Sequence, residues 1–195
     1  MSVTAEPTQP GQATREPAPS TLGVGVIIWL ASEMMFFAGL FAAYFTLRSA
    51  NDVWPPADVE LETLRTAIAT LVLVSSSGTM HMAVAASSRD DRRGAVTWLS
   101  ITALLGSIFL VNQVTEYAQA DFRIDDHAYA SAFYLMTGFH GLHVIGGLVF
   151  MAAVAVAISG RSRAPAHQTV EVCGYYWHFV DVVWVAMFST IYLLR

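Results

Sequence analysis

The run from about Val170 to Leu194 is long and apolar enough to cross a bilayer as one helix, yet a histidine and an aspartate sit inside it. His178 and Asp181 belong to the stretch YYWHFVDVVWV (Tyr175 to Val185), with Asp181 close to the middle of the span. At about 100° per residue, Glu171, Gly174, His178 and Asp181 fall on one stripe of this helix. Ionisable groups at membrane depth are expensive, so the stripe has to face protein or ordered water and not lipid tails. The chain must bring partner helices to this one.

Four other stretches are long enough to provide them, giving expected spans of about 22–47, 64–86, 95–115, 129–158 and 170–194. Hydrophobic residues make up 55% of the 195-residue chain and charged ones 13%, where soluble chains carry about 25% charged residues. The connections are short and there is no internal repeat. The expected fold is therefore an all-α integral membrane protein, a bundle of five transmembrane helices in one domain over residues 22–195. Residues 1–21, rich in Pro, Thr, Ala and Gln, lack the apolar core of a signal peptide and are expected to form a disordered cytoplasmic tail.

Lysine is absent, so all ten positive charges are arginine. A net charge of −5 and the lack of a basic patch argue against nucleic acid as a partner. With the amino terminus inside, the inner side holds Arg15, Arg89, Arg92, Arg93, Arg161 and Arg163, and the outer side Arg48, Arg65, Arg123 and Arg195. That excess predicts a cytoplasmic amino terminus and an external carboxy terminus. Trp54 before Pro55 and Pro56 suits a turn at headgroup level. The lone Cys173, in an apolar run, reads as a packed small side chain.

Each span carries polar residues whose bland and functional readings differ. Glu33, near the middle of the first, is either a proton-exchanging carboxyl or a neutral acid bonded across a helix interface, and the second reading is favoured. In the second span, Ser75, Ser76, Ser77 and Gly78 permit close helix approach. Met80 and Met82 flank His81 but point about 200° apart on a helix, which favours packing over a copper site. In the third, Gln113 and Glu116 share a face and suit a helix-to-helix hydrogen bond, with Glu116 and Tyr117 placed at the outer interface. In the fourth, His140 and His143 lie three apart among glycines; hydrogen bonds to buried acids such as Asp181 are favoured over a metal. In the fifth, His178 and Asp181 are spaced to pair directly, while Tyr176, Trp177 and Trp184 read as packing or anchoring aromatics. No Walker loop, Rossmann fingerprint, GxSxG, HExxH or CxxCH occurs, so no catalytic nucleophile or haem attachment site is nominated.

Four blocks, SEMMFFAGLFAAYF, NQVTEY, LMTGFHGLHVIGG and YYWHFVDVVWV, resemble subunit III of the haem–copper cytochrome c oxidases, in that family's order and nearly its spacing. The resemblance runs from about Leu22 to the carboxy terminus; the length and the WPP turn look like the five-helix actinobacterial form, without the two extra amino-terminal helices of the seven-helix form. It implies a respiratory-chain subunit with no catalytic, cofactor or metal site of its own, part of a proton-translocating oxidoreductase in a bacterial plasma membrane. Haems and copper are expected in subunits I and II, with this chain packed on subunit I beside subunit II and small subunits. It also implies structural phospholipids and support of proton uptake and of stability during turnover. Glu33 falls on the family's carbodiimide-reactive carboxyl, and His140, His143, His178 and Asp181 on its buried polar positions. The flank left bare by the missing helices is a candidate contact for a cytochrome bcc complex in a supercomplex. The rival readings are the same subunit of a quinol oxidase and, in a different class, a free-standing transporter.

Overall fold

The computed structural model describes residues 21–57, 59, 61–160 and 166–194, with only the backbone of residues 21 and 22. The expected tail up to residue 20 lies outside these residues, as do Asp58, Glu60, Arg161, Arg163 and Arg195. All regular structure among the described residues is helical: α1 (Thr21–Ser49), α2 (Thr63–Ser88), α3 (Arg92–Gln119), α4 (Ala128–Ser159) and α5 (Ala166–Phe188), which runs on into a π-helical turn, Ser189–Leu193. Each of the five is long and apolar enough to span a membrane.

The helices begin earlier or end later than the apolar runs, because hydropathy marks only the hydrocarbon-embedded part. α3 starts at Arg92, with the Asp91 side chain accepting the Gly94 amide at 2.9 Å. His127 caps α4 in the same way, its Nδ1 accepting the Ala130 amide at 2.9 Å. At 32 residues α4 is about 48 Å long, well beyond a hydrocarbon core of about 30 Å. Only Arg89, Asp90 and Asp91 join α2 to α3, and Asp90 makes this tight reversal at φ 59°, a left-handed conformation that aspartate tolerates.

α2, α3, α4 and α5 close a ring in which each packs against the next, and α1 leans on α4 and α5 from outside. α5 is the most enclosed helix and α1 the least. α1 exposes Ile27, Ile28, Met34 and Met35, so its sequence is apolar on lipid-facing and protein-facing sides alike.

Trp177 pins the ring. Its indole N–H donates to Ser76 Oγ of α2 at 2.8 Å, and its six-membered ring lies over Gly106 of α3 and Gly147 of α4. A Cβ at Gly106 would stand 2.6 Å from the ring, and one at Gly147 2.8 Å, so only glycine leaves room at these two approaches. Two turns along α5, Trp184 donates to Thr70 Oγ1 at 2.9 Å and meets Phe109 edge-on at 4.7 Å. Gly106→Val is expected to lower the unfolding free energy in detergent by about 1–3 kcal/mol through overpacking against Trp177. Gly39→Val, where a Cβ meets nothing within 4 Å, is the control, expected to leave the thermal midpoint unchanged.

Candidate functional site

The polar groups of the membrane interior form a layer at one depth, level with the two serines of α2 that face α5. α1 and α5 set the level: Trp29 stacks on Tyr176 at 5.3 Å and Phe37 meets Phe179 at 6.2 Å, which places Glu33 beside His178 in height. Two separate clusters occupy this layer.

The first joins α1 to α4. His143 Nε2 stands 3.2 Å from Glu33 Oε2, and both side chains are largely enclosed. His143 Nδ1 lies 2.7 Å from the Phe139 carbonyl, which can only accept, so Nδ1 carries a hydrogen. One proton then remains for the contact between imidazole and carboxyl. Whether it resides on Nε2 or on the carboxyl, the pair as a whole is neutral, which makes it tolerable at this depth. Phe36 and Phe37 shield the imidazole, and the Tyr176 hydroxyl donates to the His143 carbonyl at 2.9 Å.

The second cluster joins α2 to α5. The Ser77 hydroxyl donates to Asp181 Oδ2 and stands 2.9 Å from His178 Nδ1. A hydroxyl has one proton to give, so with Asp181 as its acceptor it receives a hydrogen from Nδ1. His178 and Asp181 are therefore bridged by a serine of another helix and do not pair directly as their spacing suggests. A residue on α2 fills the gap that the two side chains, a turn apart on α5, leave between them.

The three remaining candidates, His140, Gln113 and Glu116, divide differently from the sequence expectation. His140 is completely buried between Phe109, at 5.9 Å, and Trp184, at 4.9 Å, with no partner for either ring nitrogen among the described residues. Neither fourth-span histidine bonds Asp181: three residues apart they diverge by about 60° around α4, so His140 enters the ring while His143 turns towards α1. Glu116, expected at the interface, is only 7% exposed; its carboxylate accepts the Tyr192 hydroxyl at 2.9 Å and Thr66 at 3.2 Å, with Gln113 buried on the same face. Arg65 caps this cluster by donating to Asn112 at 2.9 Å and to Gln119 at 2.5 Å. Among the described residues no group of three or more His, Cys, Asp or Glu side chains converges as metal ligands would.

Thr66, Thr70 and Tyr192 are the residues that sequence reasoning left without a role, while Ser76 and Ser77, read as allowing close helix approach, also bond across to α5. Their signal was the hydroxyl side chain on the same helical face as a buried aromatic or acid, legible only once the facing helix is known.

The chain matches the protein-family profile of "Cytochrome c oxidase subunit III" over residues 2–195. It belongs to the cytochrome c oxidase subunit III family. The "Probable cytochrome c oxidase subunit 3" of Mycobacterium tuberculosis is 46% identical over 182 residues, 91% of this chain and 90% of the relative. The "Cytochrome c oxidase subunit 3" of Corynebacterium diphtheriae is 41% identical over 184 residues, covering 91% and 90%. That of Thermostichus vulcanus is 41% identical over 177 residues, covering 88% and 86%. A subunit III chain of this kind is one component of an oxidoreductase complex.

Removing the bridge of the second cluster tests its geometry. Ser77→Ala is expected to cost about 1–3 kcal/mol of unfolding free energy, because it leaves both Asp181 and His178 without their partner. Combined with Asp181→Ala the losses are expected to fall short of additive by about 1 kcal/mol in a double-mutant cycle, whereas Ser77→Ala and the distant Thr66→Ala should add.

Proposed function

We propose that this subunit III is the non-catalytic, membrane-embedded support of a proton-pumping haem–copper cytochrome c oxidase. In this reading it packs on subunit I, beside subunit II and small subunits, and those partners carry the haems and copper. It holds structural phospholipids and sustains proton uptake and the working lifetime of the complex. The amino terminus is cytoplasmic, which puts Arg89, Arg92 and Arg93 on the inner side, and the bare flank of α1 is open to a cytochrome bcc complex.

The Glu33–His143 pair is the observation that supports this most. It holds a single exchangeable proton between two helices, at membrane depth, with aromatic rings around it and no path for electrons through the side chains of the pair. Such a pair suits proton exchange or a lipid-facing structural joint better than redox chemistry.

Glu33→Gln removes the proton exchange and keeps a donor for His143. In the assembled complex, initial oxygen reduction is expected to stay close to the parent rate, with an earlier loss of activity during turnover or a changed phospholipid content. Near-complete loss of activity in a haem-replete complex would contradict the reading. Purification through a tagged copy checks the assembly itself: haem absorption and a dinuclear copper signal are expected to co-purify. Haem without dinuclear copper would favour a quinol oxidase, and a colourless solitary protein with its own activity a transporter.

A further inference from the structure

The interior of the ring is tightly filled at one level and polar at the next. Where Trp177 crosses it, Gly106 and Gly147 leave a Cβ no room. Towards the end at which α2 begins and α3 ends, the packing between α3 and α4 loosens. A Cβ at the buried Gly141 would meet nothing on a facing helix closer than Leu110 Cδ1 at 4.0 Å, and one at Gly138 nothing closer than the Tyr117 hydroxyl at 3.8 Å. Phe109 meets the His140 ring edge-on at 5.9 Å and Tyr117 bonds Thr137 at 2.6 Å, so Gln113, one turn from each on α3, lies level with His140 on α4. Both are buried, and neither ring nitrogen of His140 and neither end of the Gln113 amide has a hydrogen-bond partner among the described residues. Tyr117 stands beside Gln113 but has no proton for its Oε1: its hydroxyl donates to Thr137 Oγ1, whose own proton goes to the Phe133 carbonyl at 2.6 Å. Buried side chains of these kinds nearly always find partners in protein or ordered water. One turn beyond Gln113, Glu116 borders a cavity of about 30 Å³ with Leu61, Arg65 and Thr66, room for a water molecule or two at the roughly 10–15 Å³ that each needs.

We propose that water enters between α2 and α3 at Glu116, bridges the Gln113 amide to the His140 imidazole, and lets that imidazole exchange its proton with one face of the membrane. A water molecule donates and accepts at once, so it serves a ring nitrogen and an amide oxygen together. The Glu116 carboxyl, which accepts Tyr192 and Thr66, keeps lone pairs for water on the cavity side. Gly138 and Gly141 leave the space beside His140. The route ends there. Beyond His140 the ring is closed by Trp184, whose N–H is held by Thr70, and by Trp177 against its two glycines. His140 is therefore a hydrated, proton-exchanging group reached from one side only, and the subunit opens no proton leak through its ring.

Proton-detected solid-state NMR of the labelled subunit in the assembled complex tests this. In the parent protein, magnetisation is expected to pass from water to the His140 ring N–H, and that N–H is expected to be replaced by deuterium after transfer to heavy water. The Trp177 indole N–H, held by Ser76 at 2.8 Å in the same ring, should stay protonated over the same period. In Gln113→Leu both signals of hydration at His140 are expected to be lost, with the His143 resonances unchanged. Absence of any transfer from water to His140 in the parent would overturn the proposal by itself, whether or not the variant assembles. Exchange of Trp177 as fast as His140, which would mean that the whole ring opens, or unchanged exchange of His140 in Gln113→Leu, would overturn it too.

Discussion

A polar side chain in hydrocarbon must find its partner within protein, and that requirement shapes the molecule more than hydrophobic burial does. Lipid tails are as apolar as leucine, so helices gain little by hiding leucines from them. Close packing and hydrogen bonds between helices hold the ring instead. The indoles of Trp177 and Trp184 reach hydroxyls of α2, Ser77 bridges His178 and Asp181, and Glu116 gathers Tyr192 and Thr66. Every one of these joints links two helices, and all but the one between Thr66 and Glu116 involve α5 or the turn that extends it.

The joints also divide the molecule by task. Trp177, between Gly106 and Gly147, fixes how closely α3 and α4 approach α5. Glu33 and His143 attach α1, the least enclosed helix, by one neutral hydrogen-bonded pair and a line of aromatic contacts. A helix held in this way can exchange its outer environment, lipid or protein, without disturbing the ring behind it. The subunit thus presents proton-bearing side chains at mid-membrane while its described residues bring no metal-ligand cluster together.

Much of this was legible in the sequence. Five apolar runs gave five helices, and the stripe through His178 and Asp181 marked α5 as the helix that others must surround. Where α1 attaches to the ring was not legible, because α1 is apolar on nearly all sides and its periodicity names no neighbour. For the same reason the partners of the histidines were misassigned: His143 meets Glu33 and not Asp181, and Asp181 is reached through Ser77. Glu116 was placed at the interface because it closes an apolar run. The structure buries it because the π-helical turn after α5 carries Tyr192 back over it. Residue spacing specifies a face, and only the packed bundle specifies what that face meets.

The central claim is that Glu33 and His143 meet each other across α1 and α4 and hold a proton, not a redox metal, between them. Nitrogen-15 solid-state NMR of histidine-labelled subunit in the assembled oxidase tests it most directly, at His143. The account predicts a protonated Nδ1, and an Nε2 resonance that shifts when Glu33 becomes glutamine while Nδ1 stays in place. An Nε2 resonance indifferent to that substitution, or broadened by a bound paramagnetic metal, would contradict it.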